Sequence, residues 1–123
     1  MMNKPRLNIS RGDIWLVNFD PTIGDEIQKT RPAVVMSINA VFRYRLQIIV
    51  PITSWQEKFS GDFWMIKVTP SVNNHLDNES AANAFQVKSL SEERFIRKIG
   101  NLPLEQLNDI SAAIALCTGY NST

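Results

Sequence analysis

The fold is decided by residues 13–37, which read DIWLVNFDPTIGDEIQKTRPAVVMS. β-branched and aromatic side chains dominate residues 13–21 and 33–37, and this composition favours two β-strands. Between them lies a polar loop that ends in Arg31. Because Pro32 fixes the backbone directly behind it, we expect Arg31 to stand at the lip of a sheet. A guanidinium that stays charged at all working pH is suited to bind a phosphodiester.

The rest of the chain continues this mainly β pattern. The sequence predicts further strands at 45–53, 62–68, 84–87 and 95–99, turns at 69–80, and one helical turn at 91–94. Pro51 predicts an edge or a bulge in its strand. Between Pro103 and Gly119, apolar residues at three- and four-residue steps predict one amphipathic helix, with a stripe formed by Leu104, Leu107, Ile110, Ile114 and Cys117. The predicted fold class is therefore mainly β, a bent sheet or barrel with a C-terminal α-helix packed across it.

Length and composition indicate one domain without a membrane segment. The chain has 123 residues, 44% of them hydrophobic and 20% charged, which suffices for a single core. No apolar run approaches the roughly 20 residues that cross a bilayer. Residues 1–10 lack the apolar centre of a signal peptide, so we predict a loose arm there, a domain at 11–120 and a short tail at 121–123. The single Cys117 is compatible with a reducing cytoplasm.

Metal and cofactor chemistry finds no support in the sequence. One histidine and one cysteine lie far apart, and no usual zinc, calcium or nucleotide-binding spacing occurs, so we expect neither a metal nor a cofactor. His75 lies in the turn-rich segment, and we expect a surface residue there, away from Arg31. The net charge of +1 excludes little, but residues 29–58 are locally basic. That stretch fits either a polyanion-binding face or an ordinary solvated loop.

Five short motifs follow one another along most of the chain. They read RGDIW at 11–15, FDPTIGDE at 19–26, TRPAVV at 30–35, VPITS at 50–54 and FQVKSL at 85–90. Each is unspecific alone, but in this order and spacing they resemble the MazF/PemK (Kid) family of toxin endoribonucleases from type II toxin–antitoxin systems. The resemblance implies an SH3-like β-barrel, a homodimer and cytoplasmic, ribosome-independent cleavage of single-stranded RNA without a metal. It also implies neutralisation by a MazE-like antitoxin, with DNA contacted only through that antitoxin.

The resemblance also suggests roles for individual residues. Arg31 and Thr53 match the family's catalytic positions, and Glu26 and Gln86 match positions that line its RNA groove. Further candidates for substrate binding come from the polar loop and the later motifs: Gly24, Asp25, Lys29, Thr30, Ser54, Trp55, Lys88 and Ser89. Some members carry a charged Arg and Asp just before the position of Gln86. Residues 83–85 lack these charges, so that version of the site is absent.

The residues themselves suggest a mechanism in which RNA supplies its own nucleophile. Because the sequence shows no site for a metal-bound water, we predict attack by a 2′-hydroxyl on the adjacent phosphorus. Arg31 would stabilise the growing negative charge and Thr53 would donate a hydrogen bond to the same phosphate. Glu26 is the candidate base, although a carboxylate with an ordinary pKa near 4 needs burial to serve at neutral pH.

Several alternatives remain open from the sequence. Arg31 could instead form a surface salt bridge with Asp25 or Glu26. Trp55 and Phe59 could stack on RNA bases or receive an antitoxin tail, whereas Trp15 and Trp64 fit a core. The whole chain could be a gyrase-poisoning, CcdB-like binding toxin or an inactive RNA-binding module.

Overall fold

The computed structural model describes residues 7–38 and 44–120, which form seven β-strands and one α-helix. The strands are β1 (Asp13–Asn18), β2 (Thr30–Val35), β3 (Leu46–Ser54), β4 (Met65–Val68), β5 (Ser80–Asn83), β6 (Lys88–Ser91) and β7 (Phe95–Asn101), and the helix is α1 (Leu104–Cys117). Short 3-10 turns occupy Glu57–Phe59, Ala84–Gln86 and Glu92–Arg94. Residues 39–43 of the locally basic stretch, the tail at 121–123 and most of the arm at 1–10 lie outside the described residues.

Every strand pairing is antiparallel, in the order β4-β5-β3-β2-β1-β7, with β6 beside the first half of β3. Strand β3 changes its neighbour midway: residues 46–49 pair with β6, and residues 52–54 pair with β5. Pro51 falls between these two pairings and is fully buried. It therefore lies on a central strand instead of the predicted edge, at the point where β3 changes partner and a missing N–H disrupts the least pairing.

The sheet is open, because β4 and β7 stand at opposite ends of the strand order. The mainly β fold with its terminal helix is confirmed, and the open sheet is a minor difference from the expected barrel. The twist between neighbouring strands bends such a sheet even without closure.

Two hydrophobic clusters form because successive residues of a strand face opposite sides of the sheet. On β1, Ile14 belongs to one cluster, whereas Trp15 and Val17 belong to the other. On β2, Val34 joins the first cluster and its neighbours on both sides join the second. Fully burying a valine or isoleucine side chain in these clusters contributes about 1.5 to 3 kcal/mol.

Helix α1 covers the first of these clusters. Its side chains Leu107 and Ile110 lie in that cluster, and Ala113 is also buried. The amphipathic helix is therefore confirmed, but one detail of the prediction is wrong. Leu104 is 64% exposed, so the buried stripe begins one turn later, and Ala113 lies in the core beside it.

The predicted strand at 84–87 is also wrong. The side chain of Asn83 accepts a hydrogen bond of 3.1 Å from the backbone N–H of Phe85, and the N–H of Ala84 donates to the carbonyl of Trp64 at 2.9 Å. These bonds close a 3-10 turn between β5 and β6. The local side-chain bond overrides the extended propensity of the phenylalanine and valine in this stretch.

Candidate active site

The polar loop between β1 and β2 is closed at its base by backbone and side-chain hydrogen bonds. The N–H of Phe19 donates to the carbonyl of Lys29 at 2.9 Å, and the N–H of Lys29 donates to the carboxylate of Asp20 at 3.0 Å. Arg94 donates to the carbonyls of Asn18 and Asp20 at 3.2 and 2.6 Å. These contacts hold the loop at the end of the sheet.

The tip of the same loop is held by Gln86 and Glu26. Gln86 accepts a hydrogen bond of 2.6 Å from the N–H of Ile27 and donates one of 3.1 Å to the carbonyl of Asp25. The carboxylate of Glu26 accepts from the N–H of Ile23 at 2.7 Å. Two side chains predicted to touch RNA therefore also shape the loop.

Arg31 and Thr53 line one pocket of about 450 Å³. Strands β2 and β3 pair as far as Ala33 and Pro51, and Arg31 and Thr53 each lie two residues beyond that last pairing, toward the same end of the two strands. The Nε of Arg31 donates to the carbonyl of Gln28 at 3.1 Å, which orients the guanidinium. Among the described residues, Arg31 forms no ion pair, so the alternative of a salt bridge within the loop is not observed. Its two terminal nitrogens remain available to an anion.

The pocket contains charged and titratable groups that the sequence analysis did not assign to it. Arg97 on β7 and Asp77 in the loop after β4 line it together with Ser54. His75 lines it too, which makes the expectation that this histidine lies away from Arg31 wrong, although its side chain is exposed as expected. No sequence signal links His75 or Arg97 to Arg31, because the contacts that bring them together join segments far apart in the chain.

A second pocket of about 420 Å³ holds another part of the predicted site. Asp25, Glu26, Gln86 and Lys88 line it, and it shares no lining residue with the first pocket. The exposed ring of Phe85 lies at its border. The predicted site residues that line a pocket thus divide into two groups, with Arg31, Thr53 and Ser54 in the first pocket and Asp25, Glu26, Gln86 and Lys88 in the second.

The remaining predicted site residues lie in neither pocket. Gly24 and Lys29 adopt positive φ angles of 61° and 69° in the exposed loop, Thr30 begins β2, and Ser89 is exposed on β6.

Trp55 is half-buried, with the Nζ of Lys67 5.1 Å from its ring centroid. Phe59 is buried beneath it at a centroid distance of 5.8 Å, so its predicted availability for stacking is wrong. Trp64 is likewise only half-buried, and it contacts the exposed rings of Phe63 and Phe85.

Residues 7–38 and 44–120 contain no group of three or more His, Cys, Asp and Glu side chains placed to hold a metal ion. Within the same residues, no helix has the length and apolarity needed to cross a membrane.

Comparison with known proteins gives consistent matches. Residues 10–118 match the model of a family described as PemK-like, MazF-like toxin of type II toxin–antitoxin system. Endoribonuclease MazF9 of Mycobacterium tuberculosis is 30% identical over 112 residues, which cover 86% of this chain and 92% of that protein. Endoribonuclease PemK of Escherichia coli is 48% identical over 48 residues, or 38% of this chain and 36% of the relative.

Solved structures share the fold. MazF from Deinococcus radiodurans superposes with a TM-score of 0.72 at 24% identity, covering 94% of this chain and 99% of that chain. A mycobacterial endoribonuclease in complex with its cognate antitoxin gives a TM-score of 0.73 at 18% identity, with the same coverage. Given the match over nearly its whole length, this chain belongs to the PemK-like, MazF-like family of toxins of type II toxin–antitoxin systems.

Proposed function

We propose that this chain is the toxin of such a system and cleaves single-stranded RNA at a short sequence without a ribosome or a metal. The observation that carries the proposal is the pocket that Arg31 and Thr53 line together, with the terminal guanidinium nitrogens of Arg31 free of described protein partners. The relatives named endoribonucleases support the same activity. They give no support to the gyrase-poisoning alternative.

The chemistry proposed for the pocket is a transfer within the RNA strand. The 2′-hydroxyl attacks the adjacent phosphorus, and the products are a 2′,3′-cyclic phosphate and a 5′-hydroxyl. Arg31 places two charged donors on the non-bridging oxygens, where negative charge grows, and Thr53 adds a neutral donor. Donors held in place before the reaction stabilise the transition state without further reorganisation, and the bond from Arg31 Nε to Gln28 supplies this restraint.

We further propose that the second pocket binds RNA beside the reacting phosphate. Lys88 supplies a cation there, and Phe85 supplies an exposed aromatic face next to it. Bases of single strands stack on such faces for about 1 to 3 kcal/mol each. Asp25 and Glu26 line the same pocket and would disfavour phosphates close to them, so we assign it to bases rather than to the backbone.

The proposed partners follow from the family. An antitoxin with acidic residues would pair with the free guanidinium of Arg31 and compete with RNA, and it would carry the only contact to DNA. A homodimer in the bacterial cytoplasm is the proposed working form. Light scattering of the purified chain, alone and mixed with the cognate antitoxin, tests both statements: a monomeric mass or the lack of a complex contradicts them.

The activity is tested with purified protein, a long single-stranded RNA and excess EDTA. Defined fragments with cyclic phosphate ends are expected. Replacing the ribose at one mapped cut site with 2′-deoxyribose should abolish cleavage there and leave the other sites unchanged. Intact RNA that stays bound to the protein would instead indicate a binding module, and cleavage next to the 2′-deoxyribose would refute attack by the 2′-hydroxyl.

A further inference from the structure

The loop between β4 and β5 holds the single histidine of the chain in a fixed place. The side chain of the buried Asn74 accepts hydrogen bonds from the N–H groups of Ser71 and Leu76, at 2.9 and 3.0 Å. It also donates to the carbonyl of Thr69 at 2.9 Å. Three bonds from one buried side chain order a loop that no strand ladder supports, and His75 is the next residue.

Strand β7 restrains the same loop from the other side. The N–H of Asn101 donates to the carbonyl of Asn73 at 3.0 Å. Gly100 approaches so closely that a Cβ there would lie 2.4 Å from the oxygen of Asn73. The imidazole Nδ1 of His75 lies 2.8 Å from the carbonyl oxygen of Ile99. The loop backbone at Asn73 and the ring of His75 are thus both held against β7.

The contact with Ile99 determines which ring nitrogen carries the proton. A carbonyl oxygen only accepts, so Nδ1 is the donor, and the neutral ring presents Nε2 as a lone pair. Nε2 has no hydrogen-bond partner among the residues that the structure describes. A histidine oriented by a bond at Nδ1, with Nε2 open, has the arrangement of a general base.

His75 also has a backbone conformation that residues other than glycine seldom adopt. Its φ of +54° lies in the left-handed region. Such conformations persist where surrounding contacts impose them, and they concentrate at functional sites. The hydrogen bonds of Asn74 and the close approach of Gly100 restrain the backbone directly before His75.

The pocket places His75 among the groups that would bind a phosphate. Arg31, Thr53 and Arg97 line it with the imidazole, and Asp77 is the carboxylate that also lines it. Glu26, the base suggested by the sequence, lines the other pocket, and its carboxylate already accepts the N–H of Ile23. Of the groups that line the first pocket, His75 is the one whose ring is oriented by a hydrogen bond and leaves a second nitrogen open.

We infer that His75 is the base that takes the proton from the attacking 2′-hydroxyl, an inference that rests on the proposed ribonuclease function. The O2′–H bond breaks and its proton moves to Nε2 of His75 while the O2′–P bond forms. The P–O5′ bond breaks, the electron pair stays on the 5′ oxygen, and that oxygen takes a proton from water. His75 releases its proton to solvent before the next turnover.

The test uses two substitutions that tolerate a positive φ, His75→Asn and His75→Gly, in the full-length protein. The exposed Asp109→Asn on α1 serves as the control. Each variant is checked by circular dichroism and by its affinity for an RNA blocked with a 2′-deoxyribose at the cut site. Single-turnover cleavage rates are then measured from pH 5 to 9, with and without added imidazole.

We expect His75→Asn to lower the cleavage rate about 10² to 10⁴-fold with affinity for the blocked RNA unchanged within about threefold. The rise of the wild-type rate with pH near neutrality should disappear in both variants. Imidazole should restore part of the rate to His75→Gly and none to Arg31→Ala, because only the former lacks a base. Asp109→Asn should behave as the wild type.

Three outcomes would overturn the inference. They are a His75→Asn rate within about threefold of wild type, an unchanged pH profile, and a loss of rate matched by an equal loss of affinity without imidazole rescue. The proposed function fails separately, when the wild-type protein itself leaves RNA intact in EDTA. An active wild type with an equally active His75→Asn rejects only the role of the histidine.

Discussion

The side-chain amide of Gln86 binds the backbone of the polar loop twice: its oxygen accepts from the N–H of Ile27 at 2.6 Å, and its nitrogen donates to the carbonyl of Asp25 at 3.1 Å. The two residues lie far apart in the sequence, so this contact joins the turn after β5 to the loop before β2. A side chain predicted to line an RNA groove therefore holds the shape of the loop in the structure.

Gln86→Ala should loosen this loop without unfolding the sheet. The half-buried N–H of Ile27 loses its partner, which typically costs about 1 to 3 kcal/mol. We expect faster hydrogen exchange at the Ile27 amide and a lower kcat/KM for RNA. Gln86→Glu, which still accepts from Ile27, should retain part of the protection. Gln56→Ala, at an exposed position, is the matched control. An unchanged rate of hydrogen exchange in Gln86→Ala would contradict the role of Gln86 in holding the loop.

Gly100→Ala tests the close approach of β7 to the loop that carries His75. The added Cβ would lie 2.4 Å from the oxygen of Asn73 and 2.8 Å from the carbonyl carbon of Asn74, both backbone atoms that cannot rotate away. Overpacking of this kind costs about 1 to 3 kcal/mol or more. Urea unfolding should show that loss. Gly61→Ala, where nothing lies within 4 Å, should stay within about 0.5 kcal/mol of wild type. Equal stability of the two variants would refute the contact.

A buried polar chain joins the end of β2 to the turn before β7. Ser37 donates to the amide oxygen of Gln47, whose amide nitrogen donates to Glu92 at 2.9 Å, and all three side chains are buried. Gln47→Leu keeps the approximate volume but leaves Ser37 without its acceptor and takes a donor from the carboxylate of Glu92. We expect a loss of about 2 to 3 kcal/mol in urea unfolding. Gln56→Leu on the surface should change the free energy of unfolding little. A similar result for both variants would show that the buried hydrogen bonds of Gln47 contribute nothing to stability.

The sequence predicted the elements whose signal is local. The β-branched and aromatic composition of residues 13–18 predicts β1, and the spacing of Leu107 and Ile110 marks the buried face of α1. The prediction of a strand at 84–87 is wrong because the hydrogen bond from the N–H of Phe85 to the side chain of Asn83 outweighs the β propensity of the neighbouring residues.

The sequence predicts the candidate site only where its residues belong to neighbouring strands of the sheet. Arg31 and Thr53 lie on adjacent strands, so their proximity follows from a hairpin-like register. His75 and Arg97 enter the same pocket because Gly100 lets β7 lie against the backbone of residues 73–74. No local sequence pattern predicts the contact between Gly100 and residues 73–74. The identities of His75 and Arg97 do not predict it either.

Arg31→Ala should remove most of the RNA cleavage while the protein stays folded. Loss of a preorganised charged donor typically costs about 10² to 10³ in rate. Arg31→Lys should restore little, because the ammonium lacks the planar fork and the Nε that donates to Gln28. Thr53→Val, which removes a neutral donor, should cost about tenfold or less. The measurement is the single-turnover rate with saturating protein, and a larger loss for Thr53→Val than for Arg31→Ala would reverse the assigned roles.

Arg97→Ala should weaken RNA binding and make it less sensitive to salt. Arg97 lines the pocket on exposed β7, whereas the adjacent Lys98 forms an ion pair of 3.2 Å with Asp13 and lines neither pocket. If Arg97 neutralises one phosphate, the slope of log K against log salt concentration should fall in magnitude by about 0.7 for a single strand. Lys98→Ala removes the same charge from the neighbouring position and should leave the slope unchanged. Because net charge falls equally in both variants, a difference between their slopes reports a local phosphate contact, and equal slopes would show that Arg97 acts only through the overall charge.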